Sequence, residues 1–392
     1  MAVVLICLAG ERRRLGRARD RIPVRIGVTG TRGKSSVVRL IAAALREAGL
    51  VTLAKTTGSK PVLILPDGTE RDIERAGPAS ILEQKRLVRL GAELGADALV
   101  AELMAVRPEN LAVESRRILS PQVLVVTNVR LDHLEDQGRT RDEIARSLAA
   151  SFGAGMTVLI PEDEIRPAFR EAALASGATL IPVPRAAEGL GPAGTPGALE
   201  FEANTSLAAA AAARLGIEAG VAARGMAGAR PDFGSLMIWR TVRAGADGER
   251  FLVSAFAAND PDSARRVVDG LAGAGLFDGR GRIGLLSLRE DRGDRTLQWL
   301  EAVRDGRLSD FDDLVLVGPP ALAAYRRLAK GRGPEVPPRL SVSVRKDPVA
   351  IMASLPAAGA ARGAVVVGLG NMVGLGEALV EHWRTIGEPY GA

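Results

Sequence analysis

Cysteine occurs once in this chain, at Cys7, so no disulfide can form within it and no cysteine cluster can hold a metal. A reducing compartment is the setting that follows. Histidine is almost as rare, with only His133 and His382, which excludes a zinc centre built from several histidines. Aromatic residues make up 3% of the chain, too few for the base-stacking platforms that grip single-stranded nucleic acid. Lysine stands only at Lys34, Lys55, Lys60, Lys85, Lys330 and Lys346, and arginine carries the rest of the basic charge. Long apolar runs are missing as well. Ala2–Gly10 is apolar but stops well short of the roughly 20 residues that cross a bilayer. It is followed by Arg12, Arg13, Arg14, Arg17, Arg19 and Arg21 and carries no cleavage signal. Two readings stand for it: an N-terminal strand or frayed end, or the stub of a membrane anchor with its arginines on the cytoplasmic side.

What is present is a soluble, globular composition, with 47% hydrophobic and 25% charged residues. The net charge of +6 is spread along the chain and suits small anionic ligands; it does not call for nucleic acid. A length of 392 residues exceeds what one core usually supports, so two or three domains are expected. Short β-branched runs at Val24–Thr29, Ala98–Ala101, Val123–Thr127, Thr157–Ile160 and Thr179–Val183 alternate with helical patterns at Ser35–Ala48, Ile81–Leu94 and Asp142–Ser151. That alternation predicts a mostly parallel α/β sheet. A Gly/Pro loop at 189–197 and an alanine-rich helix at Leu207–Leu215 follow. A second α/β cycle then has strands near Phe251–Ser254, Arg282–Ser287, Leu314–Val317, Leu340–Val344 and Ala364–Val367, with another Gly/Pro loop at 331–338. The joint is placed in 230–247. The expected organisation is an apolar and basic segment over 1–22, a nucleotide domain over 23–238 and a smaller α/β domain over 239–392.

The strongest local signal is Ile26-Gly-Val-Thr-Gly-Thr-Arg-Gly-Lys-Ser-Ser36, a β-branched strand that runs through glycines into Lys-Ser and a helix. Glycines let successive amides curl toward phosphates, and the helix N-terminus adds positive potential. Gly30, Thr31, Arg32, Gly33, Lys34, Ser35 and Ser36 are the expected phosphate-facing set. Lys34 would reach the β/γ-phosphates and the Ser35 hydroxyl a Mg²⁺ ion. The loop is a variant, because Val28 stands where a strict motif has its first glycine. The bland alternative is a glycine turn before an ordinary helix.

Two further strands end in polar residues. Ala98–Ala101 ends at Glu102, a hard oxygen ligand suited to Mg²⁺ at the carboxyl edge of a parallel sheet. Val123–Thr127 runs into Asn128-Val-Arg-Leu-Asp132-His133, where an imidazole beside a carboxylate can ligate a second metal or orient a phosphate. A solvent-exposed glutamate and a structural histidine are the plain alternatives. The Gly368-Leu-Gly370 turn reads GxGxxxG, not the dinucleotide fingerprint, and is expected to be a close-approach turn at an interdomain cleft.

Together, GTRGKSS, the strand-end Glu102 and NVRLDHLEDQG resemble the Mur ligase superfamily of ATP-dependent amide-forming enzymes. Finer features are similar to its capsule-type poly-γ-glutamate synthetase branch. These are Lys55-Thr-Thr-Gly58, Glu83-Gln-Lys85, Ala101-Glu-Leu-Met-Ala-Val106, Phe256-Ala-Ala-Asn-Asp260, Arg289-Glu-Asp-Arg-Gly-Asp-Arg-Thr296 and Gly368-Leu-Gly-Asn371. The resemblance implies a P-loop parallel-sheet central domain followed by a smaller Rossmann-like α/β domain, with ATP and Mg²⁺ as cofactors. It implies that the Gly30–Ser36 loop and Asn128 face the nucleotide. Ser35, Glu102 and His133 become the metal ligands, and Asn204 the helix-heading contact to adenine.

Three departures qualify this. No lysine lies between Lys85 and Lys330, so the carbamylated lysine of many Mur ligases is absent. The Asp-Tyr-Ala-His start of the last domain is replaced by Phe256-Ala-Ala-Asn259. The domain that would hold a UDP-sugar has no room before the P-loop.

The implied chemistry is attack of a carboxylate on the γ-phosphate, then of an amine on the acyl phosphate, with Lys34, Glu102, His133, Arg292 and Asp291 as the catalytic set. Asp294 and Asp260 are other candidates for the amine-side base. Arg289, Arg292 and Arg295 suit a chain of carboxylates, although the same residues also read as a salt-bridged surface turn. Glutamate and an anionic polyglutamate chain are the implied substrates, and small membrane-protein partners at the inner face of the plasma membrane are implied with them. Oligomeric state stays open. Other readings are a folylpolyglutamate- or cyanophycin-type ligase, a P-loop ATPase driving a partner, and a nucleotide-binding scaffold.

Overall fold

The β-branched and alanine-rich alternation builds two α/β units. The structure, a computed structural model, describes residues 2–58, 61–75, 77, 79–131, 134–184, 198–230, 236–242, 249–330, 338–356 and 362–390. Asp132, His133 and the loops read at 189–197 and over 331–337 lie outside these residues. One compact unit falls within Met1–Leu190 and Glu200–Asp232, the other within Gly191–Leu199 and Phe233–Ala392.

In the first unit the order is α1 (Ala2–Asp20), β1 (Val24–Thr29), α2 (Lys34–Glu47), β2 (Thr52–Thr56), β3 (Val62–Ile64), β4 (Glu70–Asp72), α3 (Leu82–Glu93), β5 (Ala98–Glu102) and α4 (Pro108–Ala112). α4 continues into a π-helical stretch, Val113–Leu119. After it come β6 (Val123–Val126), α5 (Leu134–Gln137), α6 (Arg141–Ala149), β7 (Thr157–Pro161), α7 (Pro167–Ser176), β8 (Thr179–Val183), α8 (Ala198–Arg214) and α9 (Ala219–Ala227). The eight strands lie in the order β4-β3-β2-β5-β1-β6-β7-β8, and only the β2–β3–β4 edge is antiparallel. Central strands alternate sides: Ile26, Val28, Val100 and Val125 face α2, α8 and α9, whereas Leu99, Ala101, Leu124 and Val126 face α3, α6 and α7. Burial on both faces is why these strands read as continuous apolar runs.

β1 lies between β5 and β6, with Val28 opposite Glu102 and Thr29 opposite Val126. The chain leaves β1 toward β2 on one side and later crosses to β6 on the other. This is the switch point where open α/β sheets bind ligands.

The second unit holds β9 (Met237–Val242), β10 (Glu249–Ser254), α10 (Pro261–Gly273), β11 (Gly281–Ser287), α11 (Gly293–Arg304), β12 (Asp313–Val317), α12 (Ala321–Ala329) and β13 (Arg339–Ser343). It closes with α13 (Pro348–Ala353), β14 (Ala364–Gly370), α14 (Leu375–Ile386) and β15 (Glu388–Pro389). Its sheet runs β13-β12-β11-β14-β10-β9-β15, parallel from β13 to β10. Trp299 packs under one face; Trp239, Phe256 and Trp383 pack under the other, with Trp383 stacked on Phe256 at 5.6 Å. Each such buried ring contributes roughly 1.5–3 kcal/mol.

Three local expectations change. The N-terminal segment is a helix, not a strand or frayed end, because its Ala, Leu and Arg residues are good helix formers and its basic last turn complements the helix dipole. Leu15 of α1 is buried, and Glu11 pairs with Lys85 of α3 at 2.9 Å. The segment 230–247, within which the two units divide after Asp232, also contains β9, which pairs antiparallel with β10, so flanking Pro and Gly hid a strand with a fully buried Trp239. Asn204 lies inside α8 and does not head it, since the preceding Ala198-Leu-Glu-Phe-Glu-Ala203 also favours helix.

Candidate active site

The loop between β1 and α2 is shaped by two glycines that no other residue could replace without strain. Gly30 has φ 123°, and a Cβ there would lie 2.1 Å from Thr127 Oγ1. Gly33 has φ 76° and sits against Asn204, whose Oδ1 would be 2.7 Å from an added Cβ. Among the described residues no side chain caps α2, so its first amides stay available to an anion. The Lys34 ammonium folds back over the loop, donating to the Gly30 carbonyl at 2.8 Å and the Thr31 carbonyl at 3.4 Å. Val28 is fully buried in β1, which explains why a side chain is tolerated where stricter loops have glycine.

Asn128, two residues past β6, binds the loop itself. Its Oδ1 accepts from Thr31 Oγ1 at 2.7 Å and from the Arg32 amide at 3.1 Å, while its Nδ2 donates to the Arg32 carbonyl at 3.1 Å. Thr127 Oγ1 donates to the same carbonyl at 2.6 Å. The next residues are held too: the Val129 amide donates to buried Glu164 at 3.2 Å, and Arg130 pairs with the same carboxylate.

β5 delivers Glu102 beside the loop. Its carboxylate is 2% exposed, and Oε2 accepts from Ser35 Oγ at 2.8 Å and from the Thr57 amide at 2.7 Å. A serine hydroxyl and a carboxylate so close form a hard oxygen donor pair that fits a divalent cation. His133, the third expected ligand, lies outside the described residues.

Behind Glu102 is a layer of buried polar residues that sequence reading did not assign. Gln84 of α3 donates from Nε2 to the Glu102 carbonyl and to Glu114 Oε1, both at 2.8 Å. Glu114, fully buried in the π-helical stretch, also accepts from the Met104 and Ala105 amides at 2.9 to 3.1 Å. Burial pushes the Glu114 carboxyl up, against those hydrogen bonds. Alongside, the Lys55 ammonium is 1% exposed and lies 3.0 Å from Glu83, which also takes Arg75 at 2.8 Å. Burial lowers Lys55. Burial also acts to raise Glu83, but hydrogen bonds from Arg75 and Lys55 overcome it and hold the carboxyl at about 2. No spacing signal marks Gln84 or Glu114, because a polar residue in a helical pattern reads as solvent-facing.

Arg292 and Asp291 belong to the second unit, in the turn after β11. Asp291 is engaged by Arg289 in a two-pronged pair at 2.9 and 2.6 Å, which keeps its carboxyl below the usual range. Arg292 directly precedes α11. Asp260 caps α10 through the Ser263 amide. The turn at Gly368–Gly370 is a close approach: a Cβ on Gly368 would meet the Phe256 ring at 2.3 Å, and one on Gly370, at φ 91°, the Ser287 carbonyl at 2.3 Å. Asn371 caps that carbonyl from both its amide and its side chain.

A P-loop at a parallel-sheet switch point, a strand-end carboxylate on its serine and a second α/β unit define a Mur-type ATP-dependent amide ligase. Residues 28–187 match the Mur ligase middle domain, and residues 240–386 match the poly-gamma-glutamate synthase CapB C-terminal domain. PGA synthase CapB of Bacillus subtilis (strain 168) is 32% identical over 383 residues, covering 97% of this chain and 95% of that protein. Capsule biosynthesis protein CapB of Bacillus anthracis is 35% identical over 285 residues, 72% of this chain and 61% of that protein. The bifunctional folylpolyglutamate synthase/dihydrofolate synthase of Yersinia pestis, solved with AMPPNP and a Mn ion, superposes with a TM-score of 0.59. The two are 17% identical, over 96% of this chain and 92% of that one, a likeness of fold. The chain belongs to the CapB family of poly-γ-glutamate synthases.

Proposed function

We propose that this chain extends poly-γ-glutamate by activating a glutamyl carboxylate with ATP and joining it to the amino group of another glutamate. The observation that carries the reading is the meeting of Ser35 and Glu102 at the Gly30–Ser36 loop, in a chain whose first half matches the Mur ligase middle domain and whose second half matches the CapB C-terminal domain. The loop amides and Lys34 hold the phosphates, and Asn204, which packs on Gly33, is the residue given to the adenine. Ser35, Glu102 and His133 are the residues assigned to a divalent cation, with Mg²⁺ the physiological choice. Bound there, it would neutralise phosphate charge.

A carboxylate oxygen attacks the γ-phosphorus and ADP leaves. The step needs alignment and charge neutralisation more than covalent help from the protein. The amine nitrogen then attacks the acyl carbon, phosphate departs and the amine proton passes to a base. Asp291 is the assigned base and Arg292 the assigned carboxylate clamp. The pairing of Asp291 with Arg289 lowers its carboxyl and makes it a weaker base than a free aspartate.

A glutamate-dependent rise in ADP production, hydroxamate formation with hydroxylamine, and a growing polymer are the expected results. ADP production that no amino acid stimulates would overturn the reading.

The family also suggests assembly with small membrane proteins at the inner face of the plasma membrane. Among the described residues no helix is long and apolar enough to cross a membrane. Arg12, Arg13, Arg14 and Arg17 are exposed on α1 while Leu15 is buried beneath them, an arrangement that supports docking on an anionic surface. Flotation with phosphatidylserine vesicles that is lost at high salt is the expected outcome, and equal recovery with neutral vesicles would contradict it.

A further inference from the structure

We infer that Glu114 and Gln84 are positioning residues that set the stance of the Glu102 carboxylate, and through it the affinity of the site for a divalent cation. The inference rests on the reading that Ser35 and Glu102 hold that cation.

Glu102 is the last residue of β5, still paired with Val28 of β1, and the chain leaves the sheet directly after it. Three consecutive links fix the chain that leaves it. The Leu103 amide donates to the Val28 carbonyl of β1 at 2.9 Å, and the next two amides, of Met104 and Ala105, both donate to Glu114. The Glu102 carbonyl is tied by Gln84. Gln84 therefore joins the ligand residue to Glu114, spending its two N–H groups on two acceptors. Its orientation is forced: reversing the amide would aim its oxygen at a carbonyl and a carboxylate.

Glu114 is acceptor to three N–H groups on both oxygens, so only a carboxylate fits, and an amide would turn a donor toward donors. The segment that carries it is π-helical, an irregularity that costs backbone regularity and often marks function. Neither side chain reaches solvent, with Gln84 and Glu114 both fully buried, so both act on the site through Glu102. Partners of this kind typically change metal affinity by about 10- to 100-fold when removed.

The test uses the full-length protein with ADP and follows Mn²⁺ uptake by the loss of the free-ion electron paramagnetic resonance signal. Gln84→Leu and Glu114→Gln are each expected to weaken Mn²⁺ binding at least about tenfold, while ADP affinity without metal stays within about twofold. Saturating Mn²⁺ is expected to restore most of the turnover in Gln84→Leu, a rescue that a merely structural lesion would not show. Thermal melts identify any variant that fails to fold. Should Glu114→Gln be such a variant, Gln84→Leu alone decides.

A folded Gln84→Leu protein with wild-type Mn²⁺ affinity overturns the inference. Mn²⁺ uptake that is normal in wild type and lost in Glu102→Gln confirms that the cation reading stands independently. Wild-type protein that takes up no Mn²⁺ with ADP overturns both.

Discussion

Lys34 and Gly30 show how differently two residues of one loop depend on their surroundings. Among the described residues Lys34 donates to carbonyls of its own loop, so its removal leaves the fold intact and takes away a charge available to the phosphates. Lys34→Ala is expected to lower turnover by about 10²- to 10³-fold with an unchanged melting temperature, measured by ADP release and calorimetry. Gly30 has no side chain to lose, yet its backbone is held at φ 123° with Thr127 Oγ1 in the space of a Cβ. Gly30→Ala is expected to displace the loop and weaken binding of a fluorescent ATP analogue at least about tenfold. Unchanged affinity would show that the loop tolerates a remodelled turn.

Among elements, the contact between α2 and α9 matters most for the site, because α2 begins at Lys34. It depends on Gly225, where an added Cβ would lie 2.6 Å from the Ala43 carbonyl and 2.8 Å from Ala44 Cα. Both obstacles are backbone, so the helices must separate. Gly225→Ala is expected to destabilise the first unit by about 1–3 kcal/mol, read as a lower melting transition that ATP partly restores. α1 shows the reverse case. Among the described side chains, its packing on α3 includes buried Leu15 and the Glu11–Lys85 pair, a half-exposed contact of the kind that salt weakens.

At the scale of the whole molecule, acid stability follows from the buried charges behind Glu102. Glu83 is held at about 2 in the fold against an ordinary 4.5, by Arg75 and Lys55 acting against burial. Its folded value is depressed, so the stabilisation is complete above about 4.5 and is lost as pH falls toward 2. Urea denaturation as a function of pH is expected to show the first unit weakening through that window. Glu83→Gln should flatten the slope there while lowering stability at neutral pH, since Lys55 would be left buried without its carboxylate. A slope unchanged by the substitution would place the acid sensitivity elsewhere.

Much of this molecule is written in local pattern. β-branched runs placed the central strands of the first sheet to within a residue, because a parallel strand buried on both faces needs an unbroken apolar run. The glycine spacing before Lys34 located the loop, because its geometry requires residues without a side chain. What local pattern left undecided depended on distant partners. α1 becomes a docked helix only where α3 accepts Leu15, and β9 only where β10 offers an edge. The strand-end Glu102 was legible in the sequence. The buried hydrogen bonds that orient it run from Gln84 and Glu114 through space, and only the folded backbone brings them within 3 Å of one another.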